Sequence, residues 1–170
     1  MRLKAIIAIV TMILVAGMFV LVVADEAKKA ETKHAYIGAN KCKMCHKKDG
    51  IFDSWSATAH ATVYDKLSEA DKAKDELKKY YTTGTDDKGV LLEGVQCEAC
   101  HGAGADYKKK SIMEDREQAI ANGLIIPDEK TCKCCHNEKA PGKLAESAKA
   151  FDFAKMKAKG VHAPAATEKK

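Results

Sequence analysis

The sequence predicts a mainly α-helical fold with extensive loops and little or no sheet, around a core that its own side chains do not fill. No run of alternating β-branched residues is long enough for a substantial sheet. Of the 146 residues after residue 24, 58 are apolar, but 23 of these are alanine and seven are cysteine, which leaves 28 larger apolar side chains. A chain of this length needs more apolar bulk to offset its ordering entropy. We therefore expect a non-protein group in the core.

The N-terminus has the pattern of an export signal. Met1–Lys4 carries two positive charges, residues 5–23 are uncharged and strongly apolar, and small residues precede Asp25 at the positions a signal peptidase prefers. We predict that residues 1–24 are a signal peptide. The alternative is an uncleaved anchor formed by residues 5–23, because about 20 apolar residues span a bilayer. Both interpretations place the remaining chain outside the cytoplasm, and we expect a periplasmic protein.

Net charge gives little support to a nucleic-acid partner. The full chain has a net charge of +5, but residues 25–170 contain 27 basic and 24 acidic groups. Arg116 is the one arginine in that region, whereas nucleic-acid readers depend on arginine for bidentate contacts.

Short helices are predicted along the chain after a linker over residues 25–35. One helix is expected over Phe52–His60, and Ser68 is expected to cap a second that continues to about Tyr81. The Gly-, Asp- and Thr-rich segment Thr82–Gly89 predicts a loop. Ser111 and Glu114 form a capping-box pattern for a helix that ends before Gly123. A final short helix is predicted over Lys143–Ala150.

Six of the seven cysteines form three C-x-x-C pairs, each followed at once by histidine. The motifs are Cys42, Cys45 and His46; Cys97, Cys100 and His101; and Cys132, Cys135 and His136. C-x-x-C-H is the attachment signature of c-type haem. Residues i and i+3 share one face of a helical turn, so both thiols can reach the vinyl groups on one haem edge while the next histidine binds iron.

Other uses of cysteine pairs explain the pattern less well. Zinc ribbons and structural disulfides do not require histidine after every pair, and a thioredoxin-like site needs a single pair within a βαβ unit. We predict three covalent haem c groups, whose apolar surfaces would fill the core. The predicted layout is a linker over 25–35, a triple-haem domain over 36–164 and a disordered tail over 165–170.

Three histidines lie outside the motifs, which equals the number of second axial ligands that three haems need. They are His34, His60 and His162. We expect each to be an iron ligand. Cys134 does not fit the two-residue spacing of the third motif, and we expect a buried thiol; the alternative is an exposed thiol that links two chains.

Several segments resemble the multihaem cytochrome c family of the cytochrome c554 type. They are Tyr36-Ile37-Gly38 before the first motif, Trp55–Ala61, Gly94–Gly102, Pro127–Asn137, and Phe151-Asp152-Phe153 followed by His162. The resemblance implies a small periplasmic electron carrier, mostly helix and loop, with closely stacked haems and with His60 and His162 as axial ligands. The sequence departs from the family in having three motifs where the type member has four haems.

Two function classes follow. The first is an electron carrier that uses three bis-histidine haems between respiratory redox partners, and the second is a small oxidoreductase acting on NO or on a nitrogen or sulfur oxyanion at an open iron. Three histidines outside the motifs can fill the second ligand position of all three haems, which leaves no open iron and favours the carrier. We therefore predict no catalytic residues. Lysines near the motifs, at 41, 43, 47, 48 and 108–110, fit docking to an acidic redox partner, although solvated lysines are the alternative. Membrane contact is expected with an uncleaved anchor, and an oligomer or haem-chain assembly is a further prediction.

Overall fold

Short helices joined by loops make up most of the computed structural model, which describes residues 34–162. The helices are α1 (Ala39–His46), α2 (Ile51–Ser56), α3 (Ala59–Thr62), α4 (Glu69–Lys72), α5 (Asp75–Tyr81), α6 (Cys97–His101), α7 (Lys110–Met113), α8 (Arg116–Ala121), α9 (Glu129–Lys133), α10 (Lys143–Lys149) and α11 (Phe153–Lys159), with a 3₁₀ turn at Tyr64–Lys66. Two strands, β1 (Thr82–Thr85) and β2 (Leu91–Glu93), pair antiparallel. The mainly α class with a minor sheet is confirmed.

Two predicted helices are each divided in the structure. The expected helix over Phe52–His60 is divided into α2 and α3 at Thr58, whose backbone is extended. The backbone N–H and the hydroxyl of Thr58 both donate to the Trp55 carbonyl, at 2.9 Å and 2.7 Å, and so end α2. Ser68 caps α4 as predicted, its hydroxyl accepting from the Asp71 N–H at 3.1 Å. That helix ends early, since Lys74 leaves the helical region before α5 begins.

The predicted loop over Thr82–Gly89 was wrong in its first half, which forms β1. Thr82 and Thr83 are buried and β-branched, and Thr82 pairs with Glu93 while Thr85 pairs with Leu91. The Asp86 carboxylate accepts from the N–H groups of Lys88 and Val90 and closes the turn between the strands.

The capping box predicted at Ser111 was also wrong. Asp115 caps α8 instead, accepting from the Glu117 and Gln118 N–H groups at 3.1 Å and 3.0 Å. The predicted stop before Gly123 agrees with the end of α8 at Ala121, and the predicted helix at Lys143 is confirmed as α10.

The protein core contains few large apolar side chains. Within residues 34–162, no leucine, isoleucine, valine, methionine, phenylalanine or tryptophan is buried. The buried apolar residues are Ala39, Tyr64, Tyr80, Tyr107, Ala119 and Ala140. This composition agrees with the expectation that a non-protein group fills the interior.

The predicted signal peptide or anchor, nearly all of the linker and the predicted tail lie outside the described residues. Between residues 34 and 162, no helix combines the length and apolarity needed to cross a bilayer.

Candidate haem sites

Each C-x-x-C-H motif forms a helical turn. The first ends α1, and the second makes up the whole of α6. The third begins in α9 and continues past its end, where the Cys135 and His136 N–H groups donate to the Cys132 carbonyl at 3.2 Å and 2.9 Å. Both cysteines and the histidine of each motif are therefore positioned on one turn, as haem attachment requires.

Thiols of different motifs also lie close together. The neighbouring Cys97 thiol, together with burial, raises the pKa of Cys42. Burial, aided by the nearby Cys132 and Cys135 thiols, raises the pKa of Cys100 to about 11. The second motif therefore has the first motif on one side and the third on the other.

Two pairs of histidines have the spacing of axial ligands on a common iron. The ring centres of His60 and His136 are 6.0 Å apart at an interplanar angle of 75°, and those of His101 and His162 are 6.0 Å apart at 39°. A histidine nitrogen bonds a metal at about 2 Å and lies about 1 Å from its ring centre, so two imidazoles on opposite sides of one metal have centres about 6 Å apart. The donor set therefore fits haem iron at two motifs.

For three of these imidazoles, burial lowers the pKa and so favours the neutral form that binds metals. Burial lowers the pKa of His60, and the adjacent His136 lowers it further. Burial likewise lowers the pKa values of His101 and His136. A lowered pKa means that a smaller fraction of each imidazole is protonated at neutral pH, and a proton would compete with the metal.

The three motif histidines differ in what their second ring nitrogen contacts. His46 Nδ1 lies 3.2 Å from the carboxylate Oδ2 of Asp49, and His101 Nδ1 lies 3.1 Å from the Ile125 carbonyl oxygen. His136 Nδ1 is buried without a hydrogen-bond partner in the described part of the chain, and Phe151 stacks on the His136 ring at 4.8 Å. Such contacts orient the ring and set its basicity as a ligand.

Backbone contacts hold His60 beside the third motif. The Val95 N–H donates to the His60 carbonyl at 3.0 Å, and Trp55 Nε1 donates to the Val95 carbonyl at 3.1 Å. Gly94 makes this approach possible, because a Cβ at that position would lie 2.8 Å from the Ala61 carbonyl oxygen. The segment that leads into the second motif therefore also fixes the position of α3, which carries His60.

Glu98 joins the second motif to the start of the first. Its side chain is buried, with 1% exposure, and its carboxylate accepts from the N–H groups of Gly38 at 2.7 Å and Gly104 at 2.6 Å. The Ile37 N–H donates to both of its oxygens, at 3.0 Å and 3.1 Å. The entry to α1 is thereby fixed against α6.

His34 lies apart from the other histidines. Its Nδ1 is 2.5 Å from Asp106 Oδ2, and its ring packs against Gly123, where a Cβ would lie 2.9 Å from His34 Cδ2. Among the described residues, His34 makes no ring contact with His46. Cys134 is exposed, so the expectation of a buried thiol was wrong; its Sγ points back to the Lys130 carbonyl at 3.4 Å.

Sequence reasoning missed the residues that surround the ligands. Asp49, three residues after His46, could have been found from that spacing, since residues three apart share a helical face. Glu98, between two attachment cysteines, and the Ile125 carbonyl give no such signal, because their contacts depend on segments distant in the chain.

Comparisons with known proteins agree with these features. Residues 41–102 match the family described as cytochrome c554 and c-prime. Cytochrome c-554 of Nitrosomonas europaea is 29% identical over 134 residues, a match that covers 58% of this chain and 56% of that protein. The chain thus matches little more than half the length of this curated relative.

A solved structure shares the fold. The reduced state of cytochrome c554 from Nitrosomonas europaea has a TM-score of 0.52 and 24% identity to this chain, over 79% of this chain and 86% of the other. The family match, the curated relative and the shared fold together confirm the resemblance to the multihaem cytochrome c554 family.

Proposed function

We propose that this chain is a periplasmic electron carrier that holds three haem c groups. The cytochrome c554 family indicates a haem c protein that transfers electrons. The attachment thiols are those of Cys42, Cys45, Cys97, Cys100, Cys132 and Cys135. His46, His101 and His136 are the first iron ligands, and His162 and His60 are the second ligands at the His101 and His136 sites.

The pairing of motif and non-motif histidines carries this proposal. His60 and His136 are separated by 76 positions, and His101 and His162 by 61. Both pairs nevertheless have ring centres 6.0 Å apart. Apolar packing gives no reason for two half-buried imidazole pairs to have this spacing, whereas an iron between each pair requires it.

The protein residues attach, orient and enclose the groups. Haem c supplies an iron that changes between the ferric and ferrous states by one electron. The Ile125 carbonyl holds the ring of His101 by its Nδ1, and this leaves Nε2 for the metal. The adjacent thiols of Cys42 and Cys97, and the influence of Cys132 and Cys135 on Cys100, bring the attachment edges of the three groups together. Groups attached close together in this way would favour electron transfer between them.

The proposed location rests on the N-terminal sequence and the family. Residues 1–24 would direct export, and haem c attachment would follow outside the cytoplasm. Membrane tethering by residues 5–23 is the alternative form of the same proposal.

The outer surface of α1 is the proposed docking surface for a redox partner. Lys43, Met44, Lys47 and Lys48 line an open depression there. Met44 is 73% exposed. Lys47 forms an ion pair with Asp53, with Nζ and Oδ1 3.0 Å apart. A central apolar side chain ringed by lysines fits an acidic partner with a small apolar centre.

The test is the haem content of the secreted chain. The full-length chain should be produced with a c-type maturation system and its intact mass and pyridine haemochrome spectrum measured. We expect three haems per chain, two when Cys97 and Cys100 are both replaced by alanine, and three in C134A as the matched cysteine control. Fewer than three haems in the unaltered chain would refute the triple-haem proposal.

A further inference from the structure

The loop between α1 and α2 places a carboxylate beside the first motif histidine. Asp49 Oδ2 lies 3.2 Å from His46 Nδ1, and Asp49 Oδ1 accepts from the Ile51 N–H at 3.2 Å. The side chains of His46 and Asp49 are 33% and 25% exposed, so their contact is largely shielded from solvent. Each carboxylate oxygen therefore has a partner of its own.

The backbone of this loop fixes the direction of the carboxylate. The Gly50 N–H donates to the Lys47 carbonyl at 3.2 Å, and Gly50 has a φ of 77°, a left-handed conformation that favours glycine. The chain turns there into α2, whose first N–H, that of Ile51, holds one oxygen of Asp49. The other oxygen is thereby directed at His46.

The other two motif histidines have no carboxylate in the same place. His101 Nδ1 lies 3.1 Å from the Ile125 carbonyl oxygen, and His136 Nδ1 has no partner among the described residues. Within residues 34–162, Asp49 is thus the one carboxylate that contacts the Nδ1 of a motif histidine.

This contact has a direct effect on a metal bound to His46. Metal binding at Nε2 leaves the ring proton on Nδ1, which then donates to Asp49. A carboxylate acceptor makes an imidazole a stronger donor to its metal than a neutral acceptor does, and a stronger donor favours the ferric over the ferrous state. The negative charge of the carboxylate acts in the same direction.

We propose that Asp49 is a positioning residue that fixes the His46 ring and lowers the reduction potential of the haem on the first motif. This inference rests on the proposed function, because it requires haem c at that motif. Outer contacts of this kind change metal affinity by about 10–100-fold. At the lower end of this range, loss of the carboxylate raises the ferrous-to-ferric ratio about tenfold, which is about 59 mV for one electron.

The test is a spectroelectrochemical redox titration of the full-length chain and its D49N variant. Intact mass first shows whether each protein carries three haems, and an unaltered chain with fewer refutes the proposed function instead. In D49N the amide oxygen still accepts from the Ile51 N–H, but the amide NH₂ then faces His46 and cannot accept. We expect one of the three Nernst components to move to higher potential by about 59 mV, and the other two to stay in place.

Asp53 supplies the matched control. It is exposed and paired with Lys47, so D53N removes the same charge from the neighbouring helix without changing a contact of His46. A charge exposed in this way is screened by solvent, and D53N should leave all three components in place. A D49N titration that matches that of the unaltered chain overturns the inference, as does an equal shift in D53N.

D49S is a second variant with the same purpose. A serine hydroxyl can accept from the N–H two residues on, that of Ile51, but the shorter side chain does not reach His46. D49S should therefore show the same shift as D49N. If neither variant retains three haems, Asp49 serves haem attachment and not the potential, and the inference is overturned.

Discussion

Replacement of the Glu98 carboxylate by an amide is the most direct test of how the fold holds the first two motifs together. In the native chain this carboxylate accepts from the N–H groups of Ile37, Gly38 and Gly104, and it is 1% exposed. Glutamine keeps one acceptor oxygen and turns an NH₂ donor toward at least one of those N–H groups. A buried donor without an acceptor costs about 1–3 kcal/mol, and a hydrogen bond to a charged group contributes about 1.5–3 kcal/mol.

These values predict that E98Q lowers the free energy of unfolding by about 2.5–6 kcal/mol, a large part of the roughly 5–15 kcal/mol that stabilises a typical domain. The assay is guanidinium unfolding of the haem-loaded protein followed by circular dichroism. Glu138, which is exposed, supplies the matched control, and E138Q should lie within about 0.5 kcal/mol of the unaltered protein. An E98Q protein as stable as E138Q would refute the assigned role of Glu98.

Three further predictions concern the core, a backbone contact and the docking surface. The variant with alanine at all six motif cysteines should show no cooperative thermal transition by circular dichroism, because the core lacks large apolar side chains; a sharp melt would contradict this. G102A should melt well below G142A: both glycines have positive φ, but a Cβ at Gly102 would lie 2.5 Å from the Gly123 carbonyl oxygen, whereas Gly142 has nothing within 4 Å. Equal melting temperatures for G102A and G142A would contradict the prediction that the close contact at Gly102 destabilises the variant. Glutamine at Lys43 and Lys48 should slow reduction by a small acidic redox protein in stopped-flow at low salt, and the difference should vanish near 1 M salt, where the Debye length is about 3 Å; a salt-independent rate would exclude docking there.

The haem motifs could be predicted from sequence because their chemistry is local. Two thiols and a histidine on one helical turn need four residues of spacing and no tertiary information, so Cys97, Cys100 and His101 are evident in the chain itself. The mainly α fold also follows from local patterns. Its finer boundaries do not, because the hydroxyl of Thr58 and the early end of α4 divide helices whose apolar periodicity continues.

The pairing of ligands could not be predicted. His60 follows the first motif by 14 residues, which suggests a role near that motif, yet the structure places its ring beside His136. The contact depends on Val95 and Gly94 meeting α3, and these residues lie more than 30 positions further along the chain. A count of histidines likewise predicts three filled sites, and the hydrogen bond of His34 to Asp106 is visible only in three dimensions.

Among the described residues His136 Nδ1 has no hydrogen-bond partner, and for the proposed carrier this would affect the direction of electron flow. An imidazole without an acceptor behind it donates less charge to its metal than one held by a carbonyl, so the His136 site should favour the ferrous state more than the His101 site does. In the proposed ligation both sites would have two histidine ligands, so this difference would not be masked by a change in ligand type. Electron transfer from the haem at the second motif to the haem at the third would then be slightly favourable in free energy. The difference would arise because a backbone oxygen accepts from the His101 ring and none accepts from the His136 ring.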